Sequence, residues 1–276
     1  MAEELTVIVV ALLGGEALDQ CVNAARVQCS SLLVVNRDGA IVDADGRTIG
    51  VADRLDIPAK RRCAVELATT PLAALLEDTV VPDPGWAEAV ASALSQEGAV
   101  ACGGPVRMAT GLPAQTRALT LSEYGRYNAR VPPGEVDALP GCNFAFRRDA
   151  LLEAMQRSGG LVDLPVFARL KERGKLVWAP AMAVTFAHAW PEGARLKTRF
   201  DHGRIYGSAQ AGALRRAVAA AKAVLLPPVL TARALHRGGR VAPSTLGWLM
   251  LQHTAWAAGE FAGAVLGPGK GLGGWR

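Results

Sequence analysis

Aromatic side chains and paired cysteines are scarce in this chain of 276 residues. Phe, Tyr and Trp together make up 5% of it although 50% of the residues are hydrophobic, so Ala, Val, Leu and Gly must fill most of the core. The five cysteines form no CxxC motif and no cluster with histidine, which argues against a structural zinc site and a disulfide framework. We therefore expect reduced, mostly buried thiols, as in a cytoplasmic protein.

Acidic residues are almost absent from the last quarter of the chain. Residues 203–276 contain nine Lys and Arg but only one acid, Glu260, which gives this segment a charge of +8 against −3 for the first 202 residues. A basic, apolar segment favours contact with anionic lipid headgroups. Nucleic acid fits less well because the cations alternate with long aliphatic runs instead of stacking aromatics. We expect a membrane partner and no nucleic acid.

The chain also lacks an unbroken apolar run that would clearly span a membrane, which takes about 20 residues. Residues 217–235 carry Pro227 and Pro228 at their middle, and residues 245–266 contain Glu260, which is costly in lipid. We therefore expect helices that lie in the interface, or a re-entrant hairpin, at the cytoplasmic face of the cell membrane. Two spanning helices, or helices that simply pack on the rest of the protein, are the alternatives.

What the chain does contain is an alternation of strand and helix patterns through its first two thirds. Such a rhythm predicts an α/β fold with a mostly parallel sheet flanked by helices. We predict a domain over residues 1–205 and a basic, apolar helical segment over residues 206–276. The predicted strands are 6–12, 31–36, 72–76, 99–102, 138–148, 175–178 and 184–188, and the predicted helices are 18–28, 60–68, 86–96, 150–156 and 166–172.

The most informative stretch is the end of the third predicted strand. Its apolar run stops at Glu77 and Asp78, a Pro-rich turn follows, and a helix begins near Trp86. Carboxylates at the carboxyl end of a buried strand lie where α/β sheets bind ligands. Adjacent oxygen ligands there suit Mg²⁺ or Mn²⁺ carrying the phosphates of a substrate. The alternative is that Asp78 caps a helix and that both acids are merely solvated.

This stretch, taken with later landmarks, resembles family 2 glycosyltransferases, which have the nucleotide-sugar-binding GT-A fold. Pro140-Gly141-Cys142-Asn143, followed by two arginines, resembles the family's glycine-asparagine strand. Residues 171–184 resemble the helix end and strand that lead to the family's late histidine, here His188. Residues 255–267 resemble the membrane-associated tail of some bacterial members. The resemblance covers most of residues 6–207.

The resemblance implies a set of donor-binding residues. Asp78 would be the main metal ligand, Glu77 a second ligand or a contact of the ribose, and His188 a third ligand or a phosphate contact. The remaining nucleotide-sugar contacts would come from Asn36, Asp38, Lys60, Arg61 and Asn143. For several of these residues, an ordinary surface turn, a helix start or a hydrogen-bonded strand end is the competing interpretation.

The resemblance also implies the reaction. The chain would be an inverting glycosyltransferase that moves a sugar from a nucleotide diphosphate sugar to a lipid-linked or glycan acceptor. Asp163 would accept the proton of the acceptor's hydroxyl group, although plain helix capping competes for this residue. One alternative is an inactive relative that binds nucleotide or acts as a scaffold in glycan assembly. Another is a nucleotidyltransferase, but Gly14 and Gly15 alone are too few glycines for its phosphate loop.

Overall fold

The computed structural model of the chain describes residues 2–53, 56–128, 131–158, 163–190, 194–208, 212–238, 241–267 and 269. The chain divides into two compact units. Unit 1 comprises Met1–Ala109 and Tyr127–His188, and unit 2 comprises Thr110–Arg126 and Ala189–Arg276. The predicted domain division between residues 205 and 206 stays a prediction. The boundary between the two compact units in this part of the chain follows His188.

The described strands all lie in unit 1. In chain order they are β1 (Ala2–Val10), β2 (Cys29–Val35), β3 (Ala40–Val42), β4 (Thr48–Val51), β5 (Leu72–Glu77), β6 (Val80–Pro82), β7 (Ala99–Gly103), β8 (Val106–Met108), β9 (Gly134–Glu135), β10 (Asn143–Arg147), β11 (Lys175–Trp178) and β12 (Val184–Phe186). Nine of them form one sheet in the order β4-β3-β2-β1-β5-β10-β7-β11-β9, and three form a second sheet in the order β6-β12-β8.

The nine-stranded sheet is mixed, but most of its strands point the same way. Strand β1 pairs in parallel with both β2 and β5, and β7 pairs in parallel with β11. Strand β10 is inserted between β5 and β7 and is antiparallel to both. With β4, six of the nine strands share one direction. The predicted α/β fold with a mostly parallel sheet is confirmed.

Five of the described helices belong to unit 1, namely α1 (Gly15–Arg26), α2 (Ile57–Leu67), α3 (Trp86–Leu94), α5 (Arg148–Ser158) and α6 (Asp163–Lys171). Local sequence explains where the first two begin. Asp56 caps α2 by accepting the N–H of Ala59 at 3.0 Å, and Pro58 lies in the first turn. Gly14 and Gly15 have φ of +75° and +54°, which suit glycine and let the chain turn sharply from β1 into α1.

The hydrophobic core of unit 1 lies between the large sheet and α2, α5 and α6. Phe144 of β10 is at its centre, with its ring 5.5 Å from that of Phe146 and 5.6 Å, edge-on, from that of Phe167 in α6. Residues 5–10 of β1 are completely buried. A strand covered on both faces belongs in the middle of a sheet with helices on either side, and β1 holds that position.

The regular elements among the described residues of unit 2 are all helices. Its helices are α4 (Ala114–Tyr124), α7 (Ala194–Ser208), α8 (Ala213–Ala223), α9 (Leu226–Gly238) and α10 (Pro243–Leu266). The longest of them, α10, contacts the other four. Its contact with α7 is unusually close, because a Cβ atom added at any of four glycines would lie 2.0 to 2.1 Å from a carbonyl oxygen of the facing helix. These glycines are Gly203, Gly207, Gly259 and Gly263.

The elements that the sequence patterns missed include β3, β4 and α4. Strands β3 and β4 are short and follow β2 as a hairpin extension at the edge of the sheet. Helix α4 lies within residues 103–140, where the high content of Pro, Gly and Arg predicts loops. Its buried positions include Gln115, Thr116 and Thr120 alongside alanine and leucine, so it carries only a weak amphipathic pattern.

The predicted apolar tail segments correspond to α8, α9 and α10. In the described parts of the chain, no single helix has both the length and the apolar composition needed to cross a membrane. The pair formed by Ala213–Ala223 and Leu226–Arg237 meets those requirements only when its two helices are taken together, and it is bent by 70° at the break.

Candidate functional site

The register of the parallel strands brings three strand ends to one edge of the large sheet. Val10 in β1 lies opposite both Val35 in β2 and Glu77 in β5. Because β2 and β5 flank β1 on opposite sides, the strand order reverses at β1. Such a reversal opens a crevice outside the carboxyl ends of the strands, where α/β proteins bind ligands. Asn36 and Asp78, each one residue beyond its strand, lie at this edge.

Asp78 is fully buried and holds the loop between β1 and α1. Its Oδ1 accepts the backbone N–H of Leu12 at 2.9 Å, and its Oδ2 accepts those of Leu13 and Gly14 at 2.9 and 2.7 Å. Burial raises the pKa of Asp78, while these three donors and the charge of His188 act in the opposite direction. Both carboxylate oxygens are therefore already engaged by the protein.

Glu77 forms a buried ion pair with Arg61 of α2. The Arg61 Nη2 atom lies 2.6 Å from Glu77 Oε1, and the two side chains are 7% and 11% exposed. The same nitrogen donates to the carbonyl of Gly141 at 2.9 Å. Arg61 thus ties α2 to the end of β5 and to the turn before β10. The pair leaves Glu77 with its charge balanced inside the protein.

The turn after β2 is connected to α2 through Lys60. The ammonium group of Lys60 donates to the carbonyl oxygen of Arg37 at 2.7 Å. Burial lowers the pKa of Lys60, and the nearby charge of Asp38 acts against that shift. Asp38 is exposed and accepts the N–H of Ala40 at 3.0 Å within its own turn, while Asn36 is half-buried. Lys60 therefore lies beside the turn that carries Asn36 and Asp38, and the contact of these residues with a nucleotide stays a prediction.

Asn143 lies at the same edge but is fully buried. Its Oδ1 accepts the indole N–H of Trp86 at 2.8 Å, and its Nδ2 donates to the carbonyls of Met182 at 2.8 Å and Gly104 at 3.2 Å. These bonds join the start of α3 to β10 and to the loops around it. The predicted contact of Asn143 with a nucleotide sugar stays a prediction, and it would require this amide to give up internal partners.

The carboxylates do not form a ready-made metal site. His188 follows β12 and is half-buried, and its charge acts on Asp78. Within the described ranges, however, no three His, Cys, Asp or Glu side chains are grouped so that they could hold a metal ion. A carboxylate has lone pairs for further contacts beyond three N–H donors. The assignment of Asp78 as a ligand of Mg²⁺ or Mn²⁺ stays a prediction, and the phosphates of a ligand would have to supply most of the coordination.

The predicted base, Asp163, is the first residue of α6. Its side chain lies outside the described part of the chain. The assignment of Asp163 as the base stays a prediction.

Two further features of the crevice were not predicted from the sequence. Arg37 is exposed in the turn after β2, and its Cδ lies 3.7 Å from where a Cβ on Gly14 would be. The backbone N–H groups at the start of α1 lie in the same place, and the first turn of a helix favours anions. The pair Gly14-Gly15 was the available signal for this loop, but its contact with Arg37 depends on the pairing of β1 with β2.

No protein-family model matches the sequence, and no curated protein matches it either. Among solved structures, the chain is similar to mannosyltransferase PcManGT from Pyrobaculum calidifontis in complex with GDP-Man and Mn²⁺. The TM-score is 0.49 at 14% identity, over 95% of this chain and 74% of the other.

Two further solved structures are similar over about two thirds of the chain. For GalNAc-T7 with UDP, GalNAc and Mn²⁺ the TM-score is 0.49 at 11% identity, over 68% of this chain and only 44% of the other. For glucosyl-3-phosphoglycerate synthase from Mycobacterium tuberculosis, in complex with phosphoglyceric acid, the TM-score is 0.40 at 11% identity, over 67% and 71%. Likenesses this distant leave the function of the chain to be argued from its own residues.

Proposed function

We propose that the chain transfers a sugar from a nucleotide diphosphate sugar to a lipid-linked or glycan acceptor, with inversion at the anomeric carbon. The observation that carries the proposal is the crevice at the reversal of strand order. There the buried carboxylate of Asp78 lies at the start of α1, and Arg37, Lys60 and Arg61 surround the neighbouring strand ends. A negatively charged ligand fits beside the exposed cation Arg37 and the start of α1.

The crevice would bind the donor in a defined orientation. The diphosphate would contact the exposed guanidinium of Arg37 beside the start of α1, and the base and ribose would face Asn36 and Asp38. When the sugar leaves, negative charge grows on the diphosphate. In the proposed site, the guanidinium of Arg37 and the N–H groups at the start of α1 would stabilise this charge more in the transition state than in the bound donor.

Two further assignments complete the proposed chemistry. A Mg²⁺ or Mn²⁺ held by Asp78 together with the donor's phosphates, with His188 close by, would neutralise charge on the leaving diphosphate. Asp163 would accept the hydroxyl proton of the acceptor as its oxygen attacks the anomeric carbon. The acceptor would be reached at the cytoplasmic face of the cell membrane, which the charge of +8 on residues 203–276 would favour.

A second candidate function is binding of the donor without transfer, in a protein that serves as a scaffold for glycan assembly. It is favoured by the internal contacts of both carboxylates, since Glu77 is paired with Arg61 and Asp78 accepts three N–H groups. Such a protein would bind nucleotide but release no diphosphate.

Donor binding can be tested by thermal unfolding of the purified chain with UDP or GDP, with and without Mn²⁺. A ligand at roughly 100 times its Kd stabilises the native state by about 2.7 kcal/mol, which raises the unfolding temperature measurably. Arg37→Ala should remove most of this effect. Arg47→Ala, at an exposed arginine of the neighbouring β3–β4 turn, should keep it. If no nucleoside diphosphate raises the unfolding temperature, the proposed donor site does not exist.

Transfer can be tested separately by following release of nucleoside diphosphate from a panel of nucleotide sugars in the presence of a bacterial lipid extract. Asp163→Asn should abolish release while nucleotide stabilisation persists. If nucleotide stabilises the wild-type chain but no nucleoside diphosphate is released, the result would instead support the scaffold function.

A further inference from the structure

The surface of unit 2 is unusually apolar. Of the fifteen large hydrophobic side chains that are exposed in the described chain, eleven belong to residues 214–266. Val224 and Leu225, in the turn between α8 and α9, are 77% and 65% exposed. Along α10 the exposed large side chains recur at helical spacing on one face, namely Leu246, Met250, Leu251, Phe261, Val265 and Leu266. Exposed apolar side chains concentrated in one part of a protein mark contact with a partner or a membrane.

The buried side chains of these helices, in contrast, are mostly small or polar. The buried positions of α8, α9 and α10 hold alanine, glycine and polar residues, with Leu249 as the one large apolar side chain among those described. His253 bonds to the hydroxyl of Thr231 at 2.9 Å, and the carboxylate of Glu260 accepts the indole N–H of Trp256 at 3.1 Å. A polar interior beneath an apolar surface is opposite to what burial from water produces.

The contact between α7 and α10 also favours a lipid environment. Gly203 and Gly207 on α7 face Gly259 and Gly263 on α10, so each helix contributes two glycines four positions apart. Helices that have no hydrophobic drive to associate, because lipid surrounds them, pack through small residues in this spacing and through hydrogen bonds between buried polar side chains.

The charges identify the kind of membrane. In residues 212–238 and 241–267, every exposed ionised side chain is basic. These residues are Arg215, Arg216, Lys222, Arg233 and Arg237. The only acid there, Glu260, is 7% exposed. Cations that border exposed apolar side chains complement a lipid surface with anionic headgroups.

The path of the chain sets the mode of contact. In the described residues no helix can cross a membrane alone, and the pair α8 and α9 is bent by 70°. We propose that unit 2 is inserted in one leaflet of an anionic membrane, with the turn at Val224 and Leu225 entering the acyl region and lipid covering the exposed face of α10. The basic residues of α8 and α9 would bind headgroup phosphates. Insertion does not depend on sugar transfer, so the two proposals can fail separately.

Flotation with vesicles of phosphatidylcholine and phosphatidylglycerol tests this inference on the full chain. The wild type should float with these vesicles, less with phosphatidylcholine alone, and should stay bound in high salt because apolar side chains are inserted. Replacing both Val224 and Leu225 with Asp should lower the partition coefficient by about tenfold or more. The control replaces Ile49 and Val51, exposed apolar residues of β4 in unit 1, with Asp and should float like the wild type.

Depth is measured by labelling Leu225→Cys with an environment-sensitive fluorophore, in a chain where the half-buried Cys63 is replaced by Ser. Vesicles should shift its emission to the blue, whereas a label at Val27→Cys in unit 1 should not respond. The inference is overturned if the wild type does not bind anionic vesicles and instead self-associates through the exposed apolar surface of unit 2. It is equally overturned if the variant with Asp at positions 224 and 225 floats like the wild type. The same holds if the emission of the label at position 225 does not shift to the blue when the protein is bound to vesicles.

Discussion

The carboxylate of Asp78 accepts the backbone N–H of Gly14 at 2.7 Å, across a separation of 64 residues in the chain. With the bonds from Leu12 and Leu13, this contact closes the loop between β1 and α1 over the end of β5. Asp78 and its neighbour Glu77 therefore organise different parts of the crevice. One holds a backbone loop and the other holds α2 through Arg61.

Substitution Asp78→Ala should destabilise the protein. Three backbone donors would lose their acceptor in a buried place, which we expect to lower the free energy of unfolding by about 2–4 kcal/mol. Urea unfolding followed by circular dichroism measures the change. Asp53→Ala, which removes an exposed carboxylate paired with Arg62, should leave the midpoint almost unchanged. Equal midpoints for the two variants would contradict a role for Asp78 in holding the loop.

The pair Arg61 and Glu77 should show strong coupling. Removing either partner alone leaves an unpaired buried charge, so Arg61→Met and Glu77→Met should each cost about 3–5 kcal/mol of unfolding free energy. The double variant should be less destabilised than the sum by about 1–3 kcal/mol. A double-mutant cycle in urea gives this value, and simple additivity would mean that the 2.6 Å contact contributes nothing.

The glycines between α7 and α10 should not tolerate even a methyl group. A Cβ on Gly259 would lie 2.0 Å from the carbonyl oxygen of Phe200, so Gly259→Ala must push the helices apart and should cost about 1–3 kcal/mol or more. The matched control is Gly247→Ala on α10, where nothing lies within 4 Å. It should stabilise by about 0.5–1 kcal/mol, because alanine favours the helix. Thermal unfolding of both variants decides whether the close contact exists.

Stability should depend on pH through His253. Burial, with a smaller effect of the charge of Arg199, lowers the pKa of His253 from 6.5 to about 4. Between these values the unfolded chain binds a proton that the native chain does not, so stability falls as the pH is lowered from 6.5 towards 4, by at most about 1.4 kcal/mol per pH unit. Above pH 6.5 this contribution is constant.

The measurement compares urea midpoints of the wild type and His253→Gln across pH 4 to 8. The variant should lose the His253 part of the slope below pH 6.5 and keep its other pH dependence. His236→Gln, at an exposed histidine of α9, should follow the wild type. Identical slopes for wild type and His253→Gln would show that His253 is not buried in its neutral form.

Much of unit 1 could be predicted because local sequence patterns indicate many of its strands and helices. Strand β5 is a short apolar run bounded by polar turns, and β11 was predicted with its observed bounds because Gly174 and Pro180 flank it. Helix α4 was missed since its buried side chains include glutamine and threonine, and β3 and β4 were missed since three or four residues carry little periodicity.

The sequence by itself determined that Glu77 and Asp78 end a buried strand, and that the last quarter of the chain is basic and apolar. Only the tertiary structure decided what these groups contact. The partners of Asp78 come from the pairing of β1 with β5, the partner of Glu77 comes from α2, and the facing glycines come from the approach of two helices about fifty residues apart. Such contacts depend on how distant segments are brought together, which no local pattern of residues encodes.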